Sequence, residues 1–201
     1  MHGLGYSAEG FLDVFNDQAV NPVTSDTKVV LLTAPARPVT INAGMIMPCW
    51  YDMKVLSSDK SSKLPIEQRI SVDEIKDSYE LISGVVEKEK KNLKGKLFLG
   101  GFSQGAVMAL YVGLEHKDVN GIFGFSGYFT SLAKTTNLGK IPIHLFHGEE
   151  DDMISLDFAS HTYKRLLKEG KANFYVEKML GHSLNLKQLT LFKKLYLESI
   201  K

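Results

Sequence analysis

The most constraining feature of this chain is a serine between two glycines, in the stretch Gly-Phe-Ser-Gln-Gly at residues 101–105. A short apolar run at residues 96–100 precedes it, and residues 106–114 are apolar as in a buried helix. Glycines on either side leave room for a sharp turn from a strand into a helix. The pattern therefore predicts that Ser103 is exposed at the carboxyl end of a strand. The N–H groups of the following helix can there stabilise a developing negative charge.

Runs of strand length alternate with helical patterns along the 201 residues. The predicted strands lie at residues 28–33, 96–100, 121–125, 142–146 and 173–177, and the predicted helices at 8–19, 72–91, 104–116, 156–169 and 184–199. Strands that alternate with helices form a parallel sheet covered on both faces. The sequence therefore predicts an α/β fold, a three-layer sandwich with a mostly parallel central sheet, and a single domain over residues 1–201.

A long segment without periodicity interrupts this alternation. Residues 34–70 hold four of the six prolines and form a loop excursion. A connection of that length inside a compact domain is usually a functional loop or a disordered one. We interpret its first half, through Asp52, as ordered and close to the functional site. The serine- and lysine-rich stretch at residues 57–63 is interpreted as a mobile surface excursion.

Charge and cysteine content narrow the class of protein. The net charge is +1 at pH 7, so no broad field for nucleic acid or anionic lipid is expected. Cys49 is the one cysteine, so no internal disulfide is possible, as suits a reducing compartment. No secretory signal is visible after Met1. We therefore expect a cytoplasmic protein that binds no nucleic acid.

Candidate partners for the serine follow it in chain order. A serine hydroxyl becomes an effective nucleophile when a base takes its proton and an acid orients that base. The loop after the strand predicted at residues 142–146 carries acids, and His182 follows the next predicted strand. Both loops lie at the sheet edge that carries Ser103. The spacing leaves the choice of acid open among Glu149, Glu150, Asp151 and Asp152.

The remaining histidines are expected to be structural. His144 falls inside a predicted strand, and His116 and His161 fall on or at the end of predicted helices. His144 and His147 form a His-x-x-His pair, but residues three apart on a strand point to opposite faces. We therefore expect no metal site.

Attack by a serine creates an oxyanion that needs two hydrogen-bond donors. The backbone N–H of Gln104, directly after the serine, is one expected donor. The second is expected from an early glycine-rich loop, and His-Gly-Leu-Gly at residues 2–5 fits with the Leu4 N–H as donor. The alternative interpretation of this segment is a flexible tail.

Taken together, these motifs resemble the acyl-protein thioesterases, also called the phospholipase/carboxylesterase family of alpha/beta hydrolases. The segments that match lie at residues 2–5, 34–40, 47–52, 99–105, 147–151 and 181–183. The family pattern His-Gly-x-x-Asp implies that Asp151 is the acid, and the resemblance supports Leu4 and Gln104 as oxyanion donors. It also implies that the tryptophan-containing loop is close to the site. Trp50 then either contacts the acyl or leaving group or anchors the loop in the core.

The resemblance implies a serine hydrolase that cleaves acyl thioesters and esters without a cofactor. Expected substrates are S-palmitoylated proteins, with lysophospholipids and simple esters as further ones. Contact with a membrane surface would be transient and made through the substrate. Two alternatives stay open: a general carboxylesterase for short acyl chains, and a catalytically impaired relative that binds acyl chains or a partner. The sequence sets no oligomeric state.

The start of the chain departs from the family pattern. Family members carry a strand that leads into His-Gly-Leu-Gly, and it lies inside the sheet between the counterparts of residues 28–33 and 96–100. Because this chain starts at Met1, we expect an N-terminally truncated fold. Two inner strand edges would be unpaired or would close on each other, and Leu4 would be held loosely.

Overall fold

The computed structural model describes residues 1–56, 59 and 64–201. In this part of the chain the strands are Ala36–Val39 (β1), Met45–Pro48 (β2), Phe98–Phe102 (β3), Gly121–Phe125 (β4), Pro142–Gly148 (β5) and Lys171–Glu177 (β6). The α-helices are Leu12–Asn16 (α1), Ile66–Arg69 (α2), Val72–Lys90 (α3), Gln104–Glu115 (α4), Leu156–Glu169 (α5) and Leu186–Ile200 (α6). The mobile excursion predicted at residues 57–63 lies outside the described residues, apart from Asp59.

A parallel sheet in the order β3-β4-β5-β6 forms the centre of the molecule. The ends of these strands and of α3, α4, α5 and α6 lie within two residues of the predicted bounds. Helix α4 returns from β3 to β4, and α5 returns from β5 to β6. The carboxyl ends of the strands consequently lie at one edge of the sheet, as the sequence predicts.

Helices cover both faces of this sheet, which confirms the predicted three layers. Apolar residues of α3, α4 and α5 form the larger buried cluster with Ile122, Ile143 and Leu145 of the strands. On the opposite face, Phe123 and Phe125 pack with residues of α6. Neighbouring strand residues point to opposite faces of the sheet, so each strand contributes to both clusters.

Two predicted elements near the start of the chain are wrong. Residues 28–33 belong to no strand among the described residues, because no neighbouring strand pairs with them. The helix predicted at residues 8–19 is reduced to a 3-10 turn, Ala8–Phe11, and the five residues of α1. Neither piece contributes a buried residue, so little apolar packing is available to extend the helix.

The non-periodic segment contains a hairpin that the sequence did not predict. Strands β1 and β2 pair antiparallel, with Ala36 opposite Pro48 and Val39 opposite Met45. Two prolines in these short strands mask the pattern of alternating side chains, and Pro is compatible with such edge strands. Residues 49–53 follow the hairpin and are buried apart from the partly exposed Asp52, so the loop enters the core where an ordered segment is expected.

The first residue pairs with the central sheet. The Met1 amino group donates to Gly100 O at 2.8 Å, and Met1 O accepts from Phe102 N at 3.1 Å. This is the bonding pattern of a parallel neighbour that sits opposite Gly101. Among the described residues, residues 28–33 do not pair with β3 as a neighbouring strand.

Candidate active site

The turn between β3 and α4 carries Ser103 in a strained backbone conformation. Its φ is 55° and its ψ is −119°, a region that residues with a side chain rarely occupy. Its N–H donates to Phe125 O at 2.8 Å, which ties the turn to the neighbouring strand. A Cβ added at Gly101 would lie 2.2 Å from the carbonyl carbon of Gly105, so the turn is too tight for any other residue at position 101.

Three of the predicted site residues form a continuous hydrogen-bonded series. Ser103 Oγ lies 3.0 Å from His182 Nε2, and His182 Nδ1 lies 2.8 Å from Asp151 Oδ2. The Asp151 side chain is fully buried, whereas that of His182 is 17% exposed. With its Nδ1–H donated to the carboxylate, the imidazole leaves Nε2 free to accept the serine proton. The three residues come from the ends of β3, β5 and β6.

Burial distinguishes Asp151 from the other acids in its loop. Glu149, Glu150 and Asp152 are exposed, and Asp151 alone of the four is buried. Its second oxygen, Oδ1, accepts from the N–H groups of Met153 at 3.0 Å and Ile154 at 2.8 Å. Hydrogen bonds to a charged acceptor are strong, so this turn holds the carboxylate in one orientation.

His147 supports the same turn, a contact that the sequence analysis missed. Its Nε2–H donates to Ile154 O at 2.7 Å and lies 3.3 Å from Asp151 Oδ2. Burial lowers the pKa of His147, which favours the neutral ring with one N–H donor. The His-Gly-x-x-Asp pattern contains this signal, because it keeps a histidine four residues before the acid.

The segment at residues 2–5 passes directly beside the serine. A Cβ added at Gly3 would lie 3.2 Å from the Cβ of Ser103, and Gly5 N donates to Pro48 O at 2.9 Å. His2 Nδ1 donates to Gly3 O at 2.7 Å, and its Nε2 accepts from Ala34 N at 2.9 Å. The loop is therefore held at several points, in contrast to the expected loose attachment.

The two expected oxyanion donors are free in this arrangement. Among the described residues, no acceptor is hydrogen-bonded to the backbone N–H of Leu4 or of Gln104. Leu4 follows the glycine that contacts Ser103, and Gln104 is the first residue of α4. An N–H at the first turn of a helix has no partner within the helix and can bind an anion.

Trp50 is fully buried. Its indole N–H donates to His2 O at 2.9 Å, and its ring centroid lies 5.3 Å from that of His2. Trp50 therefore has the position expected of a residue that anchors its loop in the core. The indole has no exposed surface to offer to an acyl or leaving group.

Two other histidines occupy separate positions. His144 stacks on Phe123 on the α6 side of the sheet, whereas His147 contacts the Asp151 turn. Within the described part of the chain, no group of three or more His, Cys, Asp or Glu side chains could hold a metal ion. No helix there is long and apolar enough to cross a membrane.

Comparison with known proteins gives matches over most of the chain. A family model described as Phospholipase/Carboxylesterase matches residues 1–196. Acyl-protein thioesterase 1 homolog 1 of Dictyostelium discoideum is 31% identical over 200 residues, which cover 96% of this chain and 85% of the relative. Lysophospholipase-like protein 1 of Mus musculus is 28% identical over 204 residues, which cover 96% of this chain and 82% of the relative. The crystal structure of Arabidopsis thaliana SOBER1 superimposes with a TM-score of 0.83 at 24% identity, over 100% of this chain and 96% of that one.

Proposed function

Because this chain belongs to the phospholipase/carboxylesterase family and has the alpha/beta-hydrolase fold, we propose that it is a serine hydrolase of acyl thioesters and esters. Ser103 is the nucleophile, His182 the general base and Asp151 the residue that orients the base. The single observation that carries this proposal is the hydrogen-bonded series from Ser103 Oγ through His182 to the buried Asp151. A base within 3.0 Å of the hydroxyl, oriented by an acid, is the geometry that nucleophilic catalysis requires.

The first half of the reaction acylates the serine. His182 Nε2 takes the Ser103 proton as Oγ attacks the carbonyl carbon, and the carbonyl oxygen becomes an oxyanion. The free N–H groups of Leu4 and Gln104 donate to that oxyanion. When the intermediate collapses, the bond to the thiolate or alkoxide breaks, and protonated His182 supplies the proton to the leaving group.

The second half returns the enzyme to its starting state. A water molecule gives a proton to His182 and attacks the acyl-enzyme carbonyl. Collapse of this second intermediate breaks the bond to Ser103 Oγ, releases the fatty acid and returns the proton to the serine. Asp151 stays ionised and stabilises the imidazolium each time it forms. His182 therefore takes up and returns the proton in both halves of the reaction.

The names of the relatives indicate the substrate class. One is an acyl-protein thioesterase and another a lysophospholipase-like protein. We therefore propose S-acylated proteins as the main substrates and lysophospholipids as further ones. The enzyme would act in the cytoplasm. It would contact membranes transiently, because the acyl groups of such substrates are inserted in the membrane. The intact hydrogen-bonded series argues against a catalytically impaired relative.

Labelling with a fluorophosphonate probe tests the assignment of the nucleophile. We expect the purified chain to be labelled and Ser103→Ala to be unlabelled. Ser25→Ala, which removes an exposed loop serine, should label like the parent protein. Absence of labelling in a folded parent protein would contradict the proposal and favour the impaired relative.

Matched series of acyl thioesters and oxygen esters, from acetyl to palmitoyl, then test the substrate class. A preference for long-chain thioesters is expected. A preference for short-chain esters would support the general carboxylesterase instead.

A further inference from the structure

The two expected oxyanion donors lie on segments that are far apart in the chain, the loop at residues 2–5 and the start of α4. An oxyanion hole acts only when its donors are held at the position that the developing charge will occupy. A displacement of about 1 Å can reduce the rate roughly a hundredfold. Some contact must therefore set the position of one segment relative to the other.

The Gln104 side chain begins such a contact on the α4 side. It is buried, and its amide forms two hydrogen bonds to one stretch of backbone. Oε1 accepts from Trp50 N at 3.2 Å, and Nε2 donates to Tyr51 O at 2.8 Å. An amide supplies both the acceptor and the donor, whereas a carboxylate or an apolar side chain of this size lacks at least one of them.

Trp50 continues the contact toward the loop. Its backbone N–H is bound to the Gln104 side chain, and its indole N–H donates to His2 O at 2.9 Å. The Ser78 hydroxyl donates to the Trp50 carbonyl oxygen. All three polar groups of Trp50, the backbone N–H, the indole N–H and the carbonyl, are therefore hydrogen-bonded. The chain of bonds therefore runs from Gln104 through Trp50 to His2, two residues before Leu4.

His2 completes the connection by two further bonds and by close packing. Its ring donates to Gly3 O and accepts from Ala34 N, so the backbone just before Leu4 is held on both sides. A Cβ added at Gly105 would lie 2.7 Å from His2 O, which shows how closely this loop packs on the first turn of α4.

From this geometry we infer that the side chains of Trp50 and Gln104 are positioning residues that set the spacing of the Leu4 and Gln104 backbone donors. The inference rests on the proposed hydrolase function and goes beyond it, because it assigns a catalytic consequence to two buried side chains that do not contact the reacting atoms. It also gives a role to the single tryptophan of the chain, which is fully buried and bonded to Gln104, the residue directly after the nucleophile.

Trp50→Phe removes the indole donor and keeps an aromatic ring. A partly misplaced donor stabilises the transition state less but affects substrate binding little. On a soluble p-nitrophenyl ester we expect kcat to fall roughly tenfold or more, with KM within about twofold of the parent value. A trifluoromethyl ketone forms an oxyanion on Ser103, and its inhibition constant should rise by about the same factor as kcat falls.

Gln104→Glu is the second variant, and Asn137→Asp is its matched control. Asn137 Nδ2 donates to Gly113 O at 3.0 Å and to His116 O at 2.7 Å, so it holds the opposite end of the same helix with a buried amide. Both substitutions replace an amide by a carboxyl group of the same shape. We expect both substitutions to lower the melting temperature. Only Gln104→Glu should also lower kcat and weaken inhibition by the trifluoromethyl ketone.

All assays are made below the melting temperature of each variant. If Trp50→Phe does not fold, Gln104→Glu and Ser78→Ala test the same chain of bonds. Unchanged kcat in folded Trp50→Phe, or an equal loss of kcat in Asn137→Asp and Gln104→Glu, overturns this inference while the proposed function stands. A folded parent protein that neither hydrolyses the ester nor reacts with a fluorophosphonate overturns both.

Discussion

Burial sets the chemical state of several side chains around the nucleophile. The pKa values of His2 and His147 are lowered by burial, so both rings are kept neutral. A neutral ring has one donor and one acceptor nitrogen, which is what His2 uses between Gly3 O and Ala34 N. Burial also raises the pKa of the Cys49 thiol to about 11. The chemistry of these residues therefore follows from where the fold places them.

Cys49 should be unreactive in the folded protein. Only the thiolate reacts with disulfide reagents, and a thiol with a pKa of about 11 has roughly a hundredfold less thiolate at pH 8 than an unfolded cysteine. We expect Ellman's reagent to titrate no thiol rapidly in the native state and one thiol per chain in urea. Rapid reaction of the native protein would contradict the buried position of Cys49.

Close backbone contacts at the start of α4 organise the catalytic edge at the scale of whole elements. Gly101 contacts Gly105 across the turn, and Gly105 in turn packs against the carbonyl groups of Met1 and His2. Helix α4 can approach the first residues of the chain only because position 105 has no side chain. The first turn of α4 is therefore in close contact both with the turn that carries the nucleophile and with the loop that carries Leu4.

Gly105→Ala tests this contact between elements. The added Cβ would lie 2.3 Å from Met1 O, so α4 must move away from the first residues. We expect a loss of about 1–3 kcal/mol in the free energy of unfolding and a marked loss of esterase activity. Urea unfolding and a soluble ester assay measure the two effects.

Gly84→Ala on the exposed side of α3 is the matched control. A Cβ at this helical glycine has nothing within 4 Å. Alanine there should leave activity unchanged and stabilise the protein by up to about 1 kcal/mol. Equal stability of the two alanine variants would show that the contact at Gly105 is unimportant.

For the molecule as a whole, three buried histidines make stability depend on pH. The pKa values of His2, His144 and His147 are all lowered mainly by burial. The nearby Glu198 acts in the opposite direction on His144, and Asp151 does so on His147, but burial is the larger cause in both. In the unfolded chain a histidine takes up a proton near pH 6.5. Between that pH and the lower native values, the unfolded state binds more protons than the folded one.

The free energy of unfolding should therefore fall as the pH is lowered below about 6.5, because stability rises with pH wherever the unfolded state binds more protons. Urea unfolding at a series of pH values measures the slope. His144→Leu should reduce the slope between pH 6.5 and 5, since it removes one of the three groups. A slope equal in parent and His144→Leu would contradict the expected effect of burial.

Local patterns were sufficient to predict the central sheet, its main helices and the sheet edge that carries the site. Helix and strand periodicities extend over neighbouring residues, and they were clear in α3, α4, α5, β4 and β5. The order of Ser103, the acidic loop and His182 also follows from the chain, because successive parallel strands end at the same edge. Residues 28–33 show the limit of such patterns: a strand exists only where another strand pairs with it.

Tertiary structure decided which polar groups work together. Spacing alone did not separate Asp151 from three neighbouring acids, and the family resemblance was needed to choose it. In the fold, Asp151 is the one of these four acids that is buried, and it lies against His147 and His182. The hydrogen bonds of Trp50 with Gln104 and His2 likewise join residues from three distant parts of the chain. Burial and long-range hydrogen bonds depend on residues that meet only after folding. The sequence by itself therefore determined the strands of the central sheet, their main helices and the order of both. The hairpin of β1 and β2, the irregular start of the chain and the internal support of the site were decided by the packing of the whole fold.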